Sequence, residues 1–127
     1  MTKFKTPLRV ELVDDKGQGR WKLLEPVVFQ SDIVGEVVVP AGFTTDFASV
    51  PRLPGAYLLT GNRAHRAATV HDYLLEHSDI RRDIIDRVFR EAMLDCGIPI
   101  AIVTEMYAGV AAHTATMNVE HKDVGAI

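Results

Sequence analysis

"NRAHRAATVHDYLLEH", residues 62–77, is the stretch on which the fold turns. Ala64, Ala67, Ala68, His71 and Leu75 fall at helical spacing, and Val70 and Leu74 widen the apolar face, which predicts a helix over 62–77. Before residue 60 the period is two. Leu8, Val10 and Leu12 alternate with Arg9, Glu11 and Val13, "DDKGQG" (14–19) supplies turn residues, and Trp21 and Leu23 flank Lys22 in a returning strand over 20–24. "VVF" (27–29) and "IVGEVVV" (33–39) add further strand signals, closed by Pro40 and Gly42.

Working onward from the first helix, "HSD" (77–79) interrupts the pattern, and either Ser78 or Asp79 is suited to cap a second helix. That helix carries Ile84, Ile85, Val88, Phe89, Ala92 and Met93 on one stripe, with Arg82/Asp86, Asp83/Arg87 and Asp86/Arg90 as i,i+4 charge neighbours. "CGIP" (96–99) is a stop and restart, with Gly97 suited to a left-handed C-cap and Pro99 to a first helical position. A third helix is predicted over 99–114 on Ile102, Val103, Met106, Tyr107 and Val110, and the tail after Met117 is expected to be irregular. The expected class is α+β, a small N-terminal antiparallel sheet followed by about three packed helices. One domain is expected over 1–127, with the sheet at 6–40, a polar loop at 42–52 and the helical part at 62–114.

Composition narrows the function classes. Hydrophobic residues at 47% and charged residues at 24% place the chain among globular proteins and exclude a disordered one. Fourteen Lys+Arg against seventeen Asp+Glu give a net charge of -3, which argues against a broad electrostatic grip on nucleic acid, and no specific nucleic-acid binding is expected. Cys96 is the one cysteine, so neither an intrachain disulfide nor a cysteine-rich metal site can form. No apolar run approaches the roughly 20 residues needed to cross a bilayer, so the chain is not expected to be an integral membrane protein.

The candidate chemistry lies in two segments, "GFTTDFASVPR" (42–52) and "AATVHDYLL" (67–75). His71 and Asp72 occupy successive helical positions, about 100° apart, so that His71 faces inward and Asp72 lies toward the edge. A carboxylate bonded to one ring nitrogen would fix the tautomer of His71, and Asp86, near the edge of the second helix's inward stripe, is the best-placed candidate for it. His71 and Asp86 are therefore the candidate catalytic pair. If Asp46 also turns inward, then Asp46, Asp72 and His71 supply oxygen ligands and one nitrogen, a set that suits zinc, manganese or calcium. No motif such as HExxH identifies the metal. Arg52 is a candidate clamp for an anionic or carboxylate group of a substrate, and Ser49 a second substrate-binding residue. Each has a plainer alternative: a satisfied, partly buried histidine for His71, an ion-pair partner of Arg82 or Arg90 for Asp86, a turn residue for Asp46, an internal clamp for Arg52 and a backbone-bonding serine for Ser49.

With these motifs in order, the chain resembles the short phage and prophage family catalogued as domain of unknown function 1353, over residues 35–113. That family usually shows a T-D-x-A-S-x-P-R loop, an H-D-x-L-Y helix and an A-D-x-x-F helix. Here they fall on Thr45, Asp46, Ala48, Ser49, Pro51 and Arg52, on His71, Asp72 and Leu74, and on Asp86 and Phe89. Leu75 stands where the family has tyrosine and Ile85 where it has alanine. The resemblance implies phage biology, with the host cytoplasm or the virion as location, and no particular reaction. "AATVHDYLL" is also similar to the C-C-x-x-H-D-x-C-Y helix of secreted phospholipase A2 enzymes, which implies His71 as general base, Asp72 as calcium ligand and Asp86 as the residue orienting His71. The disulfides and the Gly-rich calcium loop of those enzymes are missing.

Two functions are expected to compete. One is a phage-associated hydrolase-like domain, metal-dependent or not, that attacks an ester or amide in lipid or cell-wall material. The other is a non-enzymatic head or tail structural or assembly protein, or an adaptor for a host protein, in which the polar residues form an internal network. An open cleft ending at His71 favours the first, and a sealed His71 the second.

Overall fold

The computed structural model describes residues 3–17, 19–47 and 64–125, with side chains through 117. The period-two segments form strands β1 (Val10–Asp14), β2 (Arg20–Leu23), β3 (Val27–Ser31), β4 (Gly35–Val39) and the short β5 (Thr44–Thr45). They are followed by α1 (Ala64–His77), α2 (Arg82–Asp95) and α3 (Ile100–Gly125). The α+β expectation stands, a small antiparallel β layer followed by three packed helices.

The β layer is divided in two. β1, β2 and β5 make a three-stranded antiparallel sheet in that order, and β3 and β4 make a separate hairpin. In the hairpin, alternation sends Val27, Phe29, Val37 and Val39 inward, and the register sets Phe29 opposite Val37 and Val27 opposite Val39. The N-terminal residues run along its outer edge: Lys5 N donates to Val28 O at 2.8 Å, Gln30 N to Lys3 O at 2.7 Å, and Val28 N to the Thr6 hydroxyl at 3.0 Å. Phe4 is thereby seated against Phe29, with ring centroids 4.6 Å apart.

The helices cover this layer. The alanines of α1 are fully buried and small enough to let neighbouring elements approach, while α2 turns Ile85, Val88, Phe89 and Met93 into the same core. α3 closes the core with Val103, Met106 and Val110.

Boundaries differ from expectation at the start of α2 and the end of α3, while the stop at Gly97 is as expected. Ser78 does not cap α2: its hydroxyl donates back to Leu74 O at 2.7 Å, and α2 starts after Arg81, which makes no side-chain cap bond. Gly97 takes the left-handed conformation with φ 80°, as its position after α2 requires, and Ile98 N bonds Met93 O at 3.3 Å across it. α3 continues to Gly125, through the tail expected to be irregular.

Candidate functional site

Three of the residues singled out from sequence meet beneath the helices. His71 points inward from α1, as its place on the alanine stripe dictates, and its Nε2 lies 2.8 Å from Asp86 Oδ1 on α2. Phe89, one turn beyond Asp86 and so on the same face of α2, stacks on the imidazole with centroids 4.6 Å apart and planes inclined by 30°. The other Asp86 oxygen, Oδ2, accepts a 2.6 Å bond from the Thr114 hydroxyl on α3. His71 is 4% exposed and Asp86 1%.

Asp72 extends the chain of contacts outward. Its Oδ1 is 3.9 Å from His71 Nδ1, and its Oδ2 accepts a 2.7 Å bond from the Thr45 hydroxyl at the end of β5. Thr45 Oγ1 in turn accepts the backbone N–H of Phe47 at 3.0 Å, in a turn where Phe47 has φ 55°. One polar relay, Thr45–Asp72–His71–Asp86–Thr114, therefore crosses β5, α1, α2 and α3. Among the described residues no buried polar side-chain atom lacks a partner.

Two opposing forces set the protonation of His71. Burial disfavours the imidazolium, and the facing carboxylates of Asp72 and Asp86 favour it; the carboxylates win, and the pKa is raised above its ordinary value.

Two hollows adjoin the relay. One of about 20 Å³ is bordered by His71, Asp86, Arg82, His113 and Thr114, and has room for one water. A wider depression of about 280 Å³ lies outside Asp72, with Thr45, Asp46, Arg20 and Arg82 on its walls.

The expected metal set does not assemble. Thr45, at the end of β5, turns inward onto Asp72, while Asp46 just beyond it is exposed on the wall of the wider depression. Asp46 does not border the hollow that holds His71 and Asp86. Among the described residues, no group of three or more His, Cys, Asp or Glu could hold a metal ion. The expectation that Asp46, Asp72 and His71 bind zinc, calcium or manganese is thereby overturned. Ser49 and Arg52, expected to contact substrate, lie outside the described residues.

A family model described as "Protein of unknown function (DUF1353)" matches residues 21–110. The chain belongs to that family. The DUF1353 match runs from β2 through the first part of α3 and takes in Thr45, His71, Asp72 and Asp86, leaving Thr114 beyond its end. No curated protein and no solved structure matches the chain. The likeness to the phospholipase A2 helix therefore extends no further than the His–Asp residues that suggested it. Among the described residues of this DUF1353 chain, no helix is long and apolar enough to cross a membrane.

The sequence reading missed Thr114. Its signal was present: 103, 106, 110 and 114 continue one helical stripe, so a threonine at 114 is a polar residue on an inward face. Phe89 was assigned to the core, and its second role as the surface on which His71 stacks has no signature in spacing.

Proposed function

We propose that this DUF1353 chain is a metal-independent, hydrolase-like domain in which His71 removes a proton from water for attack on an ester or amide bond in lipid or cell-wall material. The observation that carries the reading is the 2.8 Å contact between His71 Nε2 and Asp86. A histidine fixed at one nitrogen by a buried carboxylate has a set tautomer and orientation, and the carboxylate stabilises the imidazolium formed when the ring takes a proton. Thr114 holds Asp86 in place, and the proton is taken at Nδ1, the nitrogen on the Asp72 side. The depression outside Asp72 stops short of His71, which is 4% exposed, so this reading requires the Asp72 side to open and admit water and substrate to Nδ1. The phage setting and the choice of lipid or cell-wall material come from the family resemblance.

A second reading is favoured by the 4% exposure of His71 and by the partnering of buried polar atoms. In it the relay is a brace joining β5 to the helices of a non-enzymatic head or tail protein or host-protein adaptor. Purified wild type, H71A and D86N, each confirmed as folded by circular dichroism, separate the two when incubated with activated esters, phospholipid vesicles and peptidoglycan in the presence of a chelator. Catalysis predicts wild-type turnover that falls by at least about tenfold in both variants, within the 10²–10⁴ range of positioned acid–base groups. No turnover by wild type, or equal turnover by H71A, leaves the brace.

A further inference from the structure

The largest opening among those described, about 720 Å³, lies on the outer side of α2, at the turn between β3 and β4 and beside α3. Its size is that of ordinary small-molecule sites. Its charges are unevenly committed. Glu91 accepts the Ser31 hydroxyl at 2.6 Å, the Asp32 amide at 2.7 Å and Lys3 Nζ at 2.9 Å, and Asp95 accepts the amides of Lys3 and Phe4 at 2.8 and 3.0 Å. Asp32 is taken by Lys3 at 2.7 Å.

The nearby acids that the helical register offered as partners are also engaged elsewhere. Asp83 binds Arg81 and Asp86 is turned inward to His71, so that among the described residues neither Arg87 nor Arg90 makes an ion pair. Lys3, Arg87 and Arg90 balance Asp32, Glu91 and Asp95 around the opening, but the two guanidinium groups, three positions apart on one face of α2, keep donors that none of these carboxylates takes. Beside them Ile33, Leu94 and Tyr107 offer an apolar wall, with Ile33 and Leu94 exposed.

We propose that this opening binds an anionic group carried on an apolar body, with Arg87 and Arg90 clamping the anion and Ile33, Leu94 and Tyr107 covering the body. Guanidinium forks bind carboxylate and phosphate alike, so the chemistry admits either anion. No residue of the His71 relay lines this opening, and the proposal does not depend on the proposed catalysis.

Phenyl phosphate, benzoate and phenol titrated separately into the isotope-labelled full chain, followed through amide chemical shifts, test the proposal. Either anion should saturate the amides around Arg87, Arg90, Leu94 and Tyr107 with a Kd of about 1 mM or tighter, ordinary for so small a ligand, while phenol should not. The tighter of the two anions identifies the group preferred. R87Q/R90Q should weaken binding at least about tenfold with an unchanged circular dichroism spectrum. If that variant does not fold, wild-type binding must still weaken as salt is raised. Saturation by neither anion, affinity unaffected by the substitutions or by salt, or inorganic phosphate binding as tightly as phenyl phosphate would overturn it.

Discussion

His71 is the residue on which the polar relay turns, and its pKa has consequences of opposite sign for stability and for catalysis. With the folded-state pKa raised above the unfolded value, protonation of His71 favours the folded chain. That contribution is full below about pH 6.5 and is lost as pH rises through the folded pKa. Urea denaturation of wild type and H71Q over a pH series should show the wild-type advantage shrinking as pH rises through that window. A general base must be neutral, so turnover at His71 should rise over the same window. D86A removes one partner of a buried pair and should cost about 3–5 kcal/mol by denaturant unfolding. T114V, which leaves Asp86 Oδ2 without its threonine donor, should cost about 1–3 kcal/mol. The His71–Asp86 contact was legible because both residues lie at or near the inward stripes of two helices, although the i,i+4 arginines offered Asp86 an equally good alternative. Asp46 was misjudged because sequence does not say which way a residue at a strand end faces, and its neighbour Thr45 took the inward direction.

Among the elements, α2 shows best what periodicity can and cannot tell. Its buried stripe of Ile85, Val88, Phe89, Ala92 and Met93 follows the 3.6 period, and Gly97 ends it as the need for a left-handed residue demands. Gly97→Ala should cost about 1–2 kcal/mol from backbone conformation alone, since the added methyl group meets nothing within 4 Å. Thermal or denaturant unfolding of G97A checks this, and an unchanged stability would mean that the turn relaxes. The start of α2 was less legible: Ser78 and Asp79 are good capping residues, but Ser78 is drawn back to the end of α1. The i,i+4 charge pairs also failed to describe this helix, because Asp83 found Arg81 and Asp86 found His71.

For the molecule as a whole, the contacts least visible in sequence are the polar ones that join distant segments. Glu91 ties α2 to Ser31 and Asp32 at the end of β3 and to Lys3, and Asp95 ties the end of α2 to the N-terminal amides, across separations of 59 to 92 residues. E91A strands a buried Ser31 hydroxyl and should lower stability by about 1–3 kcal/mol in urea. Apolar patterning assigned β3, β4 and the three helices their type and inner face because burial acts on every residue of a stripe, whereas β1 leaves Leu12 45% exposed and β5 formed inside the stretch expected to be a polar loop. A single bond between two remote side chains leaves no period behind, which is why the relay's length, from Thr45 to Thr114, emerged only with the fold. The organising contact of that relay is the one between His71 and Asp86, and proton NMR titration of the His71 imidazole in wild type and D86N tests it most directly. His71 should titrate above about 6.5 in wild type and fall markedly in D86N. A wild-type His71 titrating at or below that value, and unmoved by D86N, would contradict it.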